Sequence, residues 1–206
     1  GKAISRVDLP EKVAGTANYG IDAHSEDMLY AAIRLAPVFG TKLVSVDAGD
    51  VLSRRGVKRI IELEDSVAVV ADSYWRAKEA LKGVKSQFES SDADTTSSAD
   101  LFAGFERSLA EDKNSKVLEI GDAEGAMDSA SDVIEGNYTV PYLAHAAMEP
   151  MNCMVQLHDD IVEVWTSTQD ALGIKGRVAK IAGVAEEDAV FHHSYLGGGF
   201  GRRLPF

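Results

Sequence analysis

Residues 90–100, "SSDADTTSSAD", hold no apolar side chain larger than alanine. Such a stretch has nothing to offer a core, and it reads as a surface connection. A chain of 206 residues interrupted there suits two small packed units better than one. The linear division that follows is 1–89, a first α+β domain; 90–116, a polar linker with a short helix; and 117–206, the beginning of a second domain. With 45% apolar residues, each unit can bury a core.

The first unit shows its elements by short apolar runs set between turn residues. "LYAAIRL", "TKLVSVD", "VKRIIEL", "SVAVVAD" and "KSQFES" read as strands, with a short helix at "DVLSRRG" after the second and a longer one at "SYWRAKEALKGV" before the last. The longer helix places Tyr74, Ala77, Leu81 and Val84 at helical spacing, with Ser73 positioned to cap its first turn. The "ELED" run at Glu62 reads as a solvated strand end. Ser97 and Asp100 form a capping box that starts a helix out of the linker, with Leu101, Phe105 and Leu109 on one side.

The second unit opens near "SKVLEIGD" and carries a hairpin, since "MVQLH" and "IVEVW" are separated by Asp159 and Asp160 alone. "DALGIKGRVAKIAG" reads as a helix through Leu172, Val178 and Ile181, weakened by Gly173 and Gly176. "AVFHHSYL" is then a strand, and "GGGFGRR" leaves it. A run of glycines lets successive N–H groups converge on an anion or a flat polar ligand. A tight turn leaving a strand explains the same run equally well. Arg202 occupies the place of the third glycine in G-x-G-x-x-G, and no Gly-Lys-Ser/Thr follows, so neither the dinucleotide fingerprint nor the P-loop is satisfied.

Other residues constrain the chemistry less. His192 and His193 are adjacent on a strand and point to opposite faces, which disfavours joint metal ligation. His145 and Glu149 share a face only if their segment is helical, and Pro150 ends any such helix. Gln169, at the end of the second hairpin strand, offers a donor and an acceptor. Met148, Met151, Met154 and Cys153 read as core filler. A formal charge of -12 opposes binding to nucleic acid and to anionic membranes. A single cysteine excludes an intrachain disulfide and a cysteine-cluster metal site. No apolar run approaches the roughly 20 residues that cross a bilayer, and the compartment is not fixed, cytoplasm and periplasm both being open.

Five ordered blocks, "RVDLPEKVAGTANYGIDAHSEDMLYAAIRLAPVFGTKLVSVD", "SVAVVADSYWRAKEAL", "VPYLAHAAMEPMNC", "VEVWTSTQ" and "LGGGFGRR", resemble the molybdenum-binding large subunit of the xanthine dehydrogenase and aldehyde oxidase family, above all its isoquinoline 1-oxidoreductase beta-subunit type. The resemblance implies an α/β hammerhead domain followed by the start of a molybdopterin-binding domain. It implies a cofactor cradle at Gly198, Gly199, Phe200 and Gly201, a glutamine at Gln169 that bonds a molybdenum oxygen ligand, and a cofactor or phosphate contact at Arg202. The implied reaction is hydroxylation of an N-heteroaromatic compound or an aldehyde, with oxygen from water and a glutamate as base.

The implied cofactor is molybdenum-molybdopterin, as the cytosine dinucleotide. The implied partner is a small 2Fe-2S subunit, with homodimerisation of the resulting heterodimer. In the family the catalytic glutamate lies far beyond the glycine loop, so the resemblance implies no catalytic residue in this sequence and a fragment inactive by itself. Two further readings stand beside it. One is a non-catalytic scaffold with the hammerhead fold that docks to an iron-sulfur subunit; the other is a nucleotide-binding domain that uses the glycine loop.

Overall fold

The computed structural model describes residues 1–91, 95–111, 118 and 120–204. The chain forms two compact units: Leu29–Tyr142, and Gly1–Met28 together with Leu143–Phe206. These packing units cross the linear division at residues 89 and 116, because the first 28 residues pack with the last part of the chain. Half of the expected opening of the second unit, "SKVLEIGD", falls outside the described residues.

In the unit Leu29–Tyr142, strands β1 (Tyr30–Leu35), β2 (Leu43–Asp47), β3 (Val57–Glu62) and β4 (Ser66–Ala71) precede helix α2 (Tyr74–Gly83) and strand β5 (Lys85–Phe88). A 3-10 turn over Val51–Ser53 stands where the short helix is expected. β4 is central, antiparallel to β1 on one side and to β3 on the other, while β2 pairs with β5. Five of the six residues of β4 are buried, so it reads as a continuous apolar run rather than an alternating one.

Ala77, Ala80 and Leu81 of α2 join Val67, Val69, Ala71, Val51 and Val84 in one core. Tyr74, expected on that face, is 53% exposed: it is the first residue of the helix, and burial begins a turn later. Arg34 donates to the carbonyls of Leu81 (2.8 Å) and Val84 (2.6 Å), placing its positive charge at the carboxyl end of α2. Ser73 caps the other end, accepting the Arg76 N–H at 3.3 Å. Ser73→Ala is expected to lower the stability of this unit by about 1 kcal/mol, which urea unfolding followed at Trp75 measures.

Beyond the linker, α3 (Ser98–Ala110) starts on the expected capping box: the Asp100 N–H donates to Ser97 Oγ at 3.2 Å, and the Ser97 N–H donates to the Asp100 carboxylate at 2.9 Å. A short helix α4 (Ala123–Asp128) follows.

In the other unit, α1 (Leu9–Ala14) begins the chain, and β6 (Met154–His158) and β7 (Ile161–Thr166) form the expected hairpin. His158 faces Ile161 across the two-residue turn, where Asp159 has φ 49°. α5 (Ala171–Ala182) then carries the chain over to β8 (Ala189–His193), which lies parallel to β7. The buried stripe of α5 is not the expected one. Leu172 and Ile181 are 85% and 86% exposed, and it is Ala179, flanked by Val178, that packs on Val162, Val164 and Ala189. Met148, Met151 and Cys153 are likewise exposed rather than core residues, since residues 144–153 belong to no regular element.

Candidate functional site

Two adjacent parallel strands joined by a helix open a crevice at their carboxyl ends, the usual place for a ligand in such a sheet. β7 ends at Thr166 and β8 at His193. The segment after β7 therefore brings Gln169 beside the glycine loop that follows β8. The Gln169 N–H donates to the Arg203 carbonyl at 3.1 Å. In return, Gln169 Oε1 accepts the Gly201 N–H at 2.9 Å and the Arg203 N–H at 3.4 Å. The helix α5 starts two residues later, capped by the intervening Asp170, which accepts the Gly173 N–H at 2.9 Å.

The loop bends back on itself at Gly198, Phe200 and Gly201, with φ of 102°, 54° and 95°. For Phe200 that conformation is uncommon, and its ring is 73% exposed. Gly197 answers to space rather than to torsion, because a Cβ there would fall on the Cβ of Glu149. A Cβ on Gly199 would come within 2.5 Å of Gln169 Oε1. Part of the glycine run thus serves close packing, as the plain-turn reading expects.

The loop amides divide into two groups. Those of Gly197, Gly201, Arg202 and Arg203 are bonded to Glu149, Gln169, the Gly199 carbonyl and Gln169 respectively. Among the described residues, the consecutive N–H groups of Gly198, Gly199 and Phe200 have no partner. Nor has the side-chain NH2 of the exposed Gln169. Of the four expected cradle residues, three therefore offer free donors, and Gly201 has its donor committed to Gln169. Arg202 is exposed and borders an open groove of about 300 Å³ that His145, Ala146 and Met151 also line. His145 and Glu149 share no helix, and Glu149 is buried at 7% exposure.

Sequence reasoning missed the groups that hold this loop in place. Glu149 Oε2 accepts from the Gly197 N–H (2.9 Å) and the Ser167 hydroxyl (3.1 Å), and Oε1 accepts from the Ile21 N–H and the Asn152 amide (both 3.0 Å). The Arg203 guanidinium, its side chain 1% exposed, pairs with the same carboxylate at 3.1 Å. It also donates to Ser167 Oγ (2.6 Å) and to the Glu149 carbonyl (2.7 Å). The partners lie 54 residues apart, with no local pattern to announce them. His192 and His193 do take opposite faces: His192 stacks on Trp165 and meets Glu163 at 2.6 Å, while His193 meets the Thr168 carbonyl at 3.3 Å. Among the described residues, no cluster of three or more acidic, histidine or cysteine side chains could hold a metal.

Burial alone would raise the Glu149 carboxyl, but the Asn152 amide, the Gly197 and Ile21 N–H groups and the Arg203 charge outweigh it and hold the group below its ordinary value. A folded value below the unfolded one stabilises the fold fully above the unfolded carboxyl's value, about 4.3. That stabilisation is lost as pH falls through the folded value. Acid unfolding followed at Trp165, in a Trp75→Phe background, is expected to show this decline; Glu149→Gln removes the part that comes from this group.

Comparison with known proteins places these observations in a family context. The family described as "Molybdopterin cofactor-binding domain" matches residues 108–205. Isoquinoline 1-oxidoreductase subunit beta of Brevundimonas diminuta is 31% identical over 99% of this chain, which spans 27% of that relative. A membrane-bound aldehyde dehydrogenase (pyrroloquinoline-quinone) of Gluconacetobacter polyoxogenes is 32% identical over 98% of this chain, again spanning 27% of the relative. Quinoline 2-oxidoreductase of Pseudomonas putida 86 has the same fold, with a TM-score of 0.69 at 18% identity over 98% of this chain and 31% of that one. The chain thus spans about a quarter of the length of these curated relatives.

Proposed function

We propose that this chain, which belongs to the xanthine dehydrogenase and aldehyde oxidase family of molybdenum-binding large subunits, holds a molybdenum-molybdopterin cofactor against its glycine loop. The observation that carries the reading is the row of three unpartnered amides, Gly198 to Phe200, beside the free NH2 of Gln169. Four unpartnered donors, three on the loop and one on the neighbouring Gln169, suit an oxygen-rich anionic group, and side chains on Gly197 and Gly199 would close the loop against Glu149 and Gln169. The residues present therefore fit the cofactor.

In this reading the main chain of Gly198, Gly199 and Phe200 would hold the pterin end, and the Gln169 NH2 would serve as a donor toward the oxygen ligands of the metal. Gly201 would act through Gln169, its N–H holding Oε1 and leaving the NH2 unpartnered. Arg202, beside its groove, supplies positive charge for a phosphate of the cofactor, which we take to be the cytosine dinucleotide form. Bound molybdenum supplies Lewis-acid and two-electron redox chemistry. The chain's one cysteine cannot hold an iron-sulfur cluster, which needs about four thiolates. Electrons would leave through a separate 2Fe-2S subunit, and the resulting heterodimer would pair with a second copy. The whole protein's activity would be oxidation of an N-heteroaromatic compound or an aldehyde with oxygen from water. The general base of that reaction would come from sequence outside this chain.

The test is molybdenum and pterin content of the chain after coexpression with the cofactor pathway, compared with Gln169→Ala and Arg202→Ala. The reading expects metal and pterin in the wild type and at least a tenfold loss in Gln169→Ala. Equal content in both variants and wild type would contradict it.

A further inference from the structure

We infer that Glu149 and Arg203 are a positioning pair that sets the directions of the free loop amides without touching the ligand themselves. The glycine loop begins at Gly197 and ends at Arg203, and both ends are tied to one carboxylate. At the first end the link is two-way: the Glu149 N–H donates to the Gly197 carbonyl at 3.0 Å, and the Glu149 carboxylate accepts the Gly197 N–H at 2.9 Å. At the other end the Arg203 guanidinium reaches the carboxylate at 3.1 Å. The Arg203 carbonyl takes the Gln169 N–H at 3.1 Å and the Thr168 hydroxyl at 3.0 Å. Ser167 completes a triangle, donating to Glu149 at 3.1 Å and accepting from Arg203 at 2.6 Å.

Between these ends, the N–H groups of Gly198, Gly199 and Phe200 have no partner among the described residues, and the one bond to these three residues, the Arg202 N–H on the Gly199 carbonyl at 2.9 Å, stays within the loop. Their orientation is therefore inherited from the two anchors. A buried ion pair adds little net stability over apolar residues of similar volume. Such a pair at the two ends of a glycine loop, which otherwise has high conformational entropy, does more by limiting the loop's shapes before a ligand arrives. Pre-organisation of this kind raises affinity by removing an ordering cost.

The inference rests on the cofactor reading for the identity of the ligand, and on the geometry alone for the ordering of the loop. Both are read separately in the 206-residue chain by 15N relaxation and by anaerobic titration with molybdopterin cytosine dinucleotide. In the wild type, order parameters across residues 197–203 are expected near about 0.85; in Glu149→Gln and Arg203→Lys the values for residues 198–200 are expected to fall below about 0.6. The β6–β7–β8 resonances are expected to keep their positions, and the dissociation constant to rise at least tenfold. Ser167→Ala leaves the charges paired and is expected to give a smaller fall of the same kind, which keeps the test open should a charge variant fail to fold.

Unchanged loop order and unchanged affinity in folded variants would overturn the inference. So would a fall in thermal midpoint with loop order intact, which marks the pair as core structure only. Loop order lost in the variants while even the wild type binds no pterin would support the positioning role and sink the cofactor reading instead.

Discussion

Glu149→Ala is expected to destabilise the unit that carries the glycine loop by about 3–5 kcal/mol. The size comes from what the substitution leaves behind. Arg203, at 4% exposure, loses its counter-charge with no route to water, and the amides of Gly197 and Ile21 lose their acceptor. Leaving a buried donor unsatisfied costs about 1–3 kcal/mol each, and the Asn152 amide keeps only its bond to the Pro150 carbonyl at 2.7 Å. Urea unfolding monitored at Trp165, in a Trp75→Phe background, measures the loss. A destabilisation under about 1 kcal/mol would mean that solvent reaches the guanidinium and that the pair is not the anchor described here.

Gly197→Ala is the second large effect, about 3 kcal/mol. The backbone of Gly197 lies outside the left-handed region, so torsional strain does not contribute. The whole effect is steric, since the new methyl would overlap Glu149 Cβ, whose residue is held by its main-chain N–H on the Gly197 carbonyl. The same substitution is expected to disorder the loop, visible as loss of the Gly198 and Gly199 amide signals. Gly176 is the useful contrast, because a Cβ there meets nothing closer than 3.6 Å. Gly176→Ala is expected to be neutral or slightly stabilising through helix propensity.

Much of the fold was legible because its signals are local. The five strands and the helix of residues 29–89 are marked by short apolar runs between turn residues, and the structure forms them in the expected order. Ser73 and Ser97 cap their helices as their spacing to Arg76 and Asp100 foretold. The face of α5 was misread because counting large apolar residues favours Leu172 and Ile181, whereas a helix lying close on a sheet selects a small residue, here Ala179. The packing of residues 1–28 with the end of the chain was not legible at all. It depends on non-local contacts such as the Ile21 N–H on Glu149 and the Tyr195 hydroxyl on Glu11 at 2.8 Å.

The candidate site was half legible. Gln169 and the glycines stood out by residue type, and the parallel pairing of β7 with β8 explains why they meet. Which loop amides stay free depends on Glu149 and Arg203, whose burial no sequence pattern disclosed. The proposed identity of the ligand rests on the molybdopterin-binding family match, and the relatives also supply a natural control, since one is named for pyrroloquinoline quinone.

The backbone amide spectrum of the 206-residue chain, titrated anaerobically with molybdopterin cytosine dinucleotide beside pyrroloquinoline quinone, tests the central claim most directly. The account expects saturable shifts at Gly198, Gly199, Phe200 and the Gln169 side-chain NH2, with the bonded amides of Gly197 and Gly201 moving least. Signals at those four positions that stay fixed at saturating molybdopterin, or that move with the quinone alone, would contradict it.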